Sequence, residues 1–361
     1  MNVEYLIVGQ GLCGTWLSWY LQKENKSFLV IDKNDGNTPS QISAGIVNPV
    51  TGRRLVKSWM ADEILPFAWK AYSEMGEFLG QEIILQKNLI DFFPNPHQRQ
   101  VFIERVENDD EHLHSYPEQN EFNPYFNYDL GCGEIRHCFS IDLGFLSEWR
   151  KILKNKNQLI ETEFLVENIK ERGDSVEWTD SVNGTIQAGK IIFCDGLGSV
   201  SNPYFHYLPF APNKGECLVV EIPGLPENYI YKKGFLLSSY WRPNLFWFGS
   251  NYQWKFEDPF PSKEFREQAE RHLNAWLKIP YKIIAHWSGI RPATIERRPF
   301  VGLHPHVNSV GILNGLGTKG CSLAPFFAHQ LVRLLVYNEA IIAEADVKRF
   351  TKILNQGFQP L

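Results

Sequence analysis

Cysteine is scarce in this chain, with six in 361 residues, at positions 13, 132, 138, 194, 217 and 321. Cys132 and Cys138 bracket the segment "GEIRH", which places His137 beside the second thiol. A structural zinc needs about four ligands, and no second pair lies at a matching spacing. The sequence therefore predicts reduced thiols, no disulfide framework and no metal. An excess of positive charge is also missing. Lys and Arg total 36 against 41 Asp and Glu, a formal net charge of −5, so no global field gathers polyanions, and a nucleic-acid partner would need a local basic patch. The short runs Arg53-Arg54, Lys232-Lys233 and Arg297-Arg298 read as solvated loop edges. No apolar run reaches the roughly 18 residues of a membrane span, and no basic segment followed by an apolar one opens the chain. Together these absences predict a soluble, cytoplasmic protein with no membrane partner.

Aromatic residues are abundant. They make up 14% of the chain, with 11 Trp and 25 Phe, enough both for a core and for a pocket lined by flat rings. Glycine is concentrated at two places that resemble each other, "VGQGLCG" at 8–14 and "NGLGTKGCSLAP" at 314–325. At the first, "VEYLIV" (3–8) reads as a buried strand, residues 12–23 show helical spacing, and "SFLVID" (27–32) is a second strand ending in an acid. Gly9, Gly11 and Gly14 then occupy the strand-to-helix turn of a βαβ unit. Gly9 permits the tight turn, Gly11 admits a pyrophosphate to the backbone, and Gly14 lets helix and strand approach. The free N–H groups and positive end of the helix favour phosphate. Asp32 is placed to accept adenosine ribose hydroxyls and argues against a 2′-phosphate; Lys33 beside it is a further candidate cofactor contact. The loop alone leaves FAD and NAD both open.

Further along, "ISAGIVNPVTGRR" is small and apolar, 62–80 reads as an amphipathic helix, and 83–139 mixes short strands with a polar surface excursion, "ENDDEHLHSYPEQNEFNPYFN". A helix follows over 143–154. "TEFLVENI" and "DSVEWTD" alternate like a hairpin, and "KIIFCDG" (190–196) reads as a buried strand ending on a turn. Between 215 and 252 a run of antiparallel strands is expected, then a polar helix over 262–278, the strand "IIAHWSGIRP" and the second glycine loop. The expected architecture is α/β with an α+β insert: a Rossmann-like domain built from 1–80, 140–210 and 285–361, and a β-rich substrate domain with an antiparallel sheet from 81–139 and 211–284.

Four segments in this order, "VGQGLCG…VID", "SAGIVNP", "CDGLGS" and "SGIRPATIERRPFVG…GILNGLGTKGCSLAPFFAHQL", resemble the D-amino acid oxidase family of FAD-dependent oxidoreductases. The resemblance covers essentially the whole chain. It implies FAD rather than NAD, bound non-covalently because the position of Cys321 does not match the family's covalent pattern. It also implies oxidation of a C–N bond by hydride transfer to flavin N5. By the same resemblance Val166, on the strand after the first hairpin, places a backbone group near adenine. Ser43, Ala44 and Gly45 pass over the pyrophosphate and flavin, and Cys194, Asp195 and Gly196 end a strand near the pyrophosphate. The second loop, Gly315, Leu316, Gly317, Thr318, Lys319 and Gly320, brings a helix N-terminus to the flavin ring, where reduction places negative charge. Lys319 adds a full charge, and Ser322 is the expected N-cap.

Arg291 matches the family's carboxylate-binding arginine, whose planar guanidinium can hold a substrate carboxylate through two parallel hydrogen bonds. Asn48, Tyr240, Trp241 and Tyr252 are candidate substrate contacts, and His286 reads as a strand histidine rather than a base. Trp247 stands on the strand where sarcosine-type relatives carry a lysine, which leaves the electron acceptor open between oxygen and another. The leading expectation is an enzyme acting on a small-molecule amine, an amino or imino acid. One alternative follows from "SAGIVNPVTGRR" with the aromatic-rich helix after it and from "FGSNYQWKFED", which resemble the oxidase half of the bacterial enzyme that modifies the tRNA wobble uridine and imply removal of a carboxymethyl group from an amine; basic clustering around Arg53, Arg54 and Lys57 would favour it. Another is a flavin-binding protein without turnover. The oligomeric state is not legible.

Overall fold

The computed structural model describes residues 1–355 apart from Asn37, Arg53 and Asp109. The chain divides into two compact units, one comprising Met1–Gln41, Gly144–Asn213 and Ile290–Leu361, the other Ile42–Leu143 and Lys214–Gly289.

In the first unit, short runs of Leu, Ile, Val and Phe form strands buried on both faces, as the continuous hydrophobicity of "LIV" and "FLVI" requires of parallel strands. Asn2–Val8 lies between Phe28–Ile31 and Gly184–Phe193, parallel to both, with Val8 level with Ile31 and Phe193. Val310–Asn314 joins on the far side, parallel to Gly184–Phe193. The carboxyl ends of these strands therefore share one edge. That edge carries the 9–14 loop, Asp32, the 194–196 turn and the second glycine loop, where open parallel sheets bind ligands. The hairpin Ile169–Arg172 with Ser175–Asp180 extends the sheet antiparallel. Leu6, Leu29, Trp178, Ile191, Phe193 and Ile312 belong to its core cluster. The helices Leu12–Lys23 and Gly320–Tyr337 pack on each other, and a Cβ on Gly320 would sit 3.2 Å from Leu12 Cδ1.

The second unit is built on an eight-stranded sheet whose pairs are mostly antiparallel. One pair departs from the expected pattern, since Ile230–Lys233 runs parallel to Leu89–Phe92. The amphipathic helix lies at Ala61–Leu79 and the polar helix at Lys263–Trp276, capped by Ser262. Residues 42–80, expected in the first domain, cluster with the second unit. The reason is strand pairing between segments distant in sequence. Ile46–Val47 pairs with Phe139–Ile141, which pairs with Ile84–Gln86, and a Cβ on Gly45, whose φ is +67°, would lie 2.1 Å from Ile141 O.

The segment expected as a surface excursion is not all surface. Its Phe122 and Phe126 are buried among Phe92, Tyr231 and Trp276. Within the 83–139 stretch, where short strands are expected, the structure also holds a helix, Pro96–Glu107. Its start is signalled by Asn95, whose side chain accepts from Gln98 N–H at 2.9 Å, and by proline in the first turn. Among the described residues no helix is long and apolar enough to cross a membrane.

Candidate functional site

The first glycine loop is dictated by steric exclusion. A Cβ on Gly14 would lie 1.8 Å from Gly9 O, and one on Gly9, whose φ is +97°, would lie 2.6 Å from Cys194 O. The backbone can therefore pass between strand end and helix only without side chains. Helix Leu12–Lys23 starts at Gly11 with no side-chain cap on its own N-cap residue and no acid in its first turn, so its positive end is not neutralised from within. Ser40, absent from the sequence-based expectations, covers part of it: its hydroxyl accepts from Leu12 N–H at 3.2 Å.

Asp32 sits beside this loop. Its Oδ2 accepts from Gln10 N–H and its Oδ1 from Arg150 Nη1, both at 2.8 Å. Arg150 also reaches Glu161 and Gln10 Oε1, a network that no spacing rule relates to Asp32. Lys33 is exposed and pairs with Asp35 at 3.4 Å.

The other end of the shared edge is tied down by Asn314, also missed from sequence. Its Nδ2 donates to Gly196 O at 2.8 Å and to Ser199 Oγ at 2.9 Å, which joins the 194–196 turn to the second loop. Asp195 is bonded to the Ser199 hydroxyl, so its side chain serves this internal tie. Burial raises the Asp195 carboxyl to about 6 from an ordinary 3.8. Because the folded-state value is the higher, the stabilisation linked to its proton is full below about 3.8 and is lost as pH rises through about 6. Asp195→Asn is expected to raise stability near neutral pH by on the order of 2 kcal/mol, with the advantage vanishing in acid. Thermal melting of both proteins across this range checks the sign.

The second loop runs through a short 3₁₀ turn, Gly317–Lys319, into Gly320–Tyr337. Ser322 is not its N-cap. The helix already begins at Gly320, so the Ser322 hydroxyl lies inside it and donates back to Lys319 O at 3.1 Å. The N-cap position falls to Lys319, and no side-chain bond caps the helix. Leu316 is buried and Thr318 exposed. Lys319 is half-buried, and burial lowers its ammonium to about 8. Gly315, with φ +79°, leaves no room for a Cβ, which would lie 2.6 Å from Thr294 Cγ2. Gly317 N–H donates to Pro292 O at 3.4 Å, so the turn that carries Arg291 is stitched to this loop. Arg291 Nη1 donates to Asn213 Oδ1 at 2.7 Å.

The first unit thus brings together Gly9, Gly11, Gly14, Asp32, Cys194–Gly196, Arg291 and the second loop. Val166 differs from its expected setting. It begins a 3₁₀ turn, Val166–Asn168, rather than a strand, and packs half-buried on the core.

The remaining candidates belong to the second unit: Ser43, Ala44, Gly45, Asn48, Tyr240, Trp241 and Tyr252. Tyr240 is half-buried against Trp287 with ring centroids 5.8 Å apart, and burial raises its hydroxyl to about 12. Tyr252 is mostly exposed. Lys87, unmarked in the sequence, is buried with its Nζ bonded to Ser239 Oγ and 6.0 Å from the Trp241 ring centroid. His286 Nε2 lies 2.9 Å from Glu216 Oε2, a carboxylate that also accepts from Ser262 N–H and Oγ; the histidine belongs to a buried cap network. Lys57 is engaged by Asp62 at 2.5 Å and Glu111 at 3.5 Å, which dilutes the basic cluster that the tRNA reading calls on. Arg53 lies outside the described residues.

A parallel sheet whose strand ends meet in glycine loops, each opening on a helix whose own N-cap residue makes no side-chain bond, defines a dinucleotide-binding fold. The model of the FAD dependent oxidoreductase (DAO) family matches residues 4–334, and the chain belongs to that family. It is 26% identical over 179 residues to a glycine oxidase of Pseudomonas aeruginosa, an overlap of 48% of this chain and 49% of that protein. The matched region thus spans about half the length of this curated relative. The fold is similar to that of glycine oxidase from Geobacillus kaustophilus (TM-score 0.78, 19% identity, 94% of this chain and 96% of that one). It is also similar to iminodiacetate oxidase from Chelativorans sp. BNC1 (TM-score 0.74, 16%, 94% and 97%) and L-proline dehydrogenase from P. horikoshii (TM-score 0.73, 15%, 97% and 98%).

Proposed function

We propose that this protein binds FAD non-covalently and oxidises the C–N bond of a primary or secondary amine that bears a carboxylate, an amino or imino acid, in the cytoplasm. The observation that carries the reading is Arg291, a guanidinium fixed by a neutral amide on a turn stitched to the second glycine loop. The donor set fits the cofactor. Two helix N-termini whose own N-cap residues make no side-chain bond, and glycines that tolerate no Cβ, suit a pyrophosphate and an electron-rich ring. FAD, when bound, accepts the hydride from the carbon next to nitrogen.

The chain's own residues bind and orient. Gly9, Gly11 and Gly14 with the start of helix Leu12–Lys23 hold the pyrophosphate, and Cys194, Asp195 and Gly196 line the neighbouring strand end. Asp32 accepts from the ribose, Lys33 flanks it, and Val166 supplies a backbone contact to adenine. Ser43, Ala44 and Gly45 contact the cofactor from their own loop. Gly315, Leu316, Gly317, Thr318, Lys319 and Gly320 supply positive potential for the charge that reduction places on the ring. Arg291 clamps the carboxylate and so points the α-hydrogen for transfer. Asn48, Tyr240, Trp241 and Tyr252 contact the rest of the substrate. Cys321 is buried in its helix.

The proposed chemistry is tested by incubating the flavin-loaded protein with D-, L- and N-methyl amino acids, in the presence of oxygen or an artificial electron acceptor that reoxidises the flavin, and assaying the oxo acid and the released ammonia or amine. An oxo acid in step with substrate loss is expected; none from any carboxylate-bearing amine would sink the reading. Lys319 adds a pH signature. Its charge is present below about 8 and lost above it, so its stabilisation of the negative charge that reduction places on the ring should weaken as pH rises through that value, and the flavin midpoint potential should fall more steeply there. Lys319→Met should remove the extra dependence. A wild-type potential with no change of slope across this range would contradict the role of Lys319.

A further inference from the structure

Three metal-ligating side chains outside the proposed flavin and substrate sets meet at one end of a strand pair in the second unit. Leu113–Ser115 runs antiparallel to Cys132–Ile135, with Leu113 opposite Ile135. The pairing continues past the strand ends, where Arg136 N–H donates to His112 O at 2.8 Å. Glu111 and His112 therefore enter one strand where His137 leaves the other. The two imidazoles face each other, Nδ1 to Nδ1, at 3.0 Å. One nitrogen from each ring and a carboxylate oxygen of Glu111 lie within 4.8 Å of one another. The spacing of Cys132 and Cys138 argues against a metal, but neither thiol belongs to this cluster.

His112 is 6% exposed, whereas Glu111 and His137 are exposed. Its backbone is fixed on both sides, since its N–H donates to Asp110 Oδ1 at 3.0 Å and its carbonyl accepts from Arg136. The ring Nε2 is buried with no hydrogen-bond partner. Glu111 Oε2 stands 3.9 Å from it, beyond hydrogen-bond reach. Burial holds the His112 imidazole below its ordinary pKa; the neighbouring His137 and Lys57 act in the same direction, against Glu111 and Asp110. The ring is thus neutral at neutral pH, and one nitrogen keeps a lone pair. With the proton of the shared bond on His112 Nδ1, that lone pair is on the orphan Nε2. A neutral imidazole whose other nitrogen donates a hydrogen bond is the form that binds a metal.

We propose that His112, His137 and Glu111 bind one divalent transition-metal ion of the zinc class, with water completing the coordination. Two imidazoles and a carboxylate suit tetrahedral zinc, which holds such ligand atoms at about 2.0–2.2 Å and hence about 3.3 Å from one another. His112 Nε2 and Glu111 Oε2 reach that spacing by closing about 0.6 Å, and the exposed Glu111 and His137 side chains are free to turn. Magnesium and calcium prefer all-oxygen sites. Lys57 competes for Glu111 at 3.5 Å but lies 2.5 Å from Asp62, so it keeps a partner when Glu111 turns to the ion. The bound ion ties the entry of one strand to the exit of the other. The proposal does not depend on the flavin chemistry.

The test uses the flavin-loaded protein, stripped with EDTA, desalted and titrated with zinc by calorimetry, with magnesium alongside. His137 has a φ of +59°, a conformation that asparagine tolerates, so His137→Asn is the variant that keeps the turn. It is expected to weaken zinc binding by about 100-fold, and Glu111→Gln by about 10-fold. Zinc should raise the melting temperature of the wild type and leave that of His137→Asn unmoved. Flavin content reports whether each variant is folded, and either variant can decide alone. Wild-type zinc affinity in His137→Asn or in Glu111→Gln means that the ion is held adventitiously elsewhere and overturns the proposal. No zinc binding, or magnesium binding as tight as zinc, overturns it as well.

Discussion

Arg291→Leu is expected to lower the rate constant for flavin reduction by dilute amino acid substrate about a thousandfold, through loss of the proposed charge-assisted bidentate contact and the orientation it imposes. The side chain is anchored on Asn213, so the leucine variant removes a positioned charge rather than a mobile one. Arg291→Lys should fall between the two, because an ammonium keeps the charge and loses the planar fork. The measurement is anaerobic reduction followed in a rapid-mixing spectrophotometer, normalised to bound flavin. The loss should be far smaller for an amine that lacks a carboxylate. Equal losses for both kinds of amine would mean that Arg291 does something other than bind the carboxylate.

Gly14→Ala is expected to yield protein that holds little or no FAD and is destabilised by on the order of 3–5 kcal/mol. The added carbon would lie 1.8 Å from Gly9 O, far inside contact distance, so helix Leu12–Lys23 must move off the strand end. Gly9 cannot yield in turn, since its own Cβ position is blocked by Cys194 O at 2.6 Å. The clash therefore propagates along the whole binding edge instead of relaxing locally. Gly36→Ala is the control. Nothing lies within 4 Å of a Cβ there, and its stability should stay within about 0.5 kcal/mol of wild type. Flavin content after desalting and thermal melting read both variants. A Gly14→Ala protein with wild-type flavin content would contradict the account of the loop.

The parts of the molecule that were legible in sequence are those governed by short-range rules. A strand, three glycines at fixed spacing, a helix and an acid specify the turn at 9–14 because each residue's role is set by neighbours within one βαβ unit. Residues whose partners are distant in sequence were not legible. Asn213 meets Arg291 across 78 positions, Asn314 meets Gly196 across 118, and Arg150 meets Asp32 across 118. The grouping of 42–80 with the second unit has the same origin, for it depends on strand pairs with 139–141 that no local pattern announces. Phe122 and Phe126 sit in a segment whose average polarity hides its buried rings. The helix Pro96–Glu107 is the opposite case, since its Asn-Pro start was in the sequence and an expectation of strands overrode it. Ser322 illustrates a rule applied one turn too late, because the 3₁₀ turn at Gly317–Lys319 moves the helix start upstream of it.

The central claim is that this chain holds FAD and reduces it with a carboxylate-bearing amine. The most direct measurement is the visible absorption spectrum of the purified protein under anaerobic conditions, before and after adding D-, L- and N-methyl amino acids, with the decarboxylated amines alongside. The account predicts oxidised flavin bands that bleach with one group of amino acids and persist with the matching amines. Flavin that no amino acid bleaches, or that amines with and without the carboxylate bleach equally well, would contradict it.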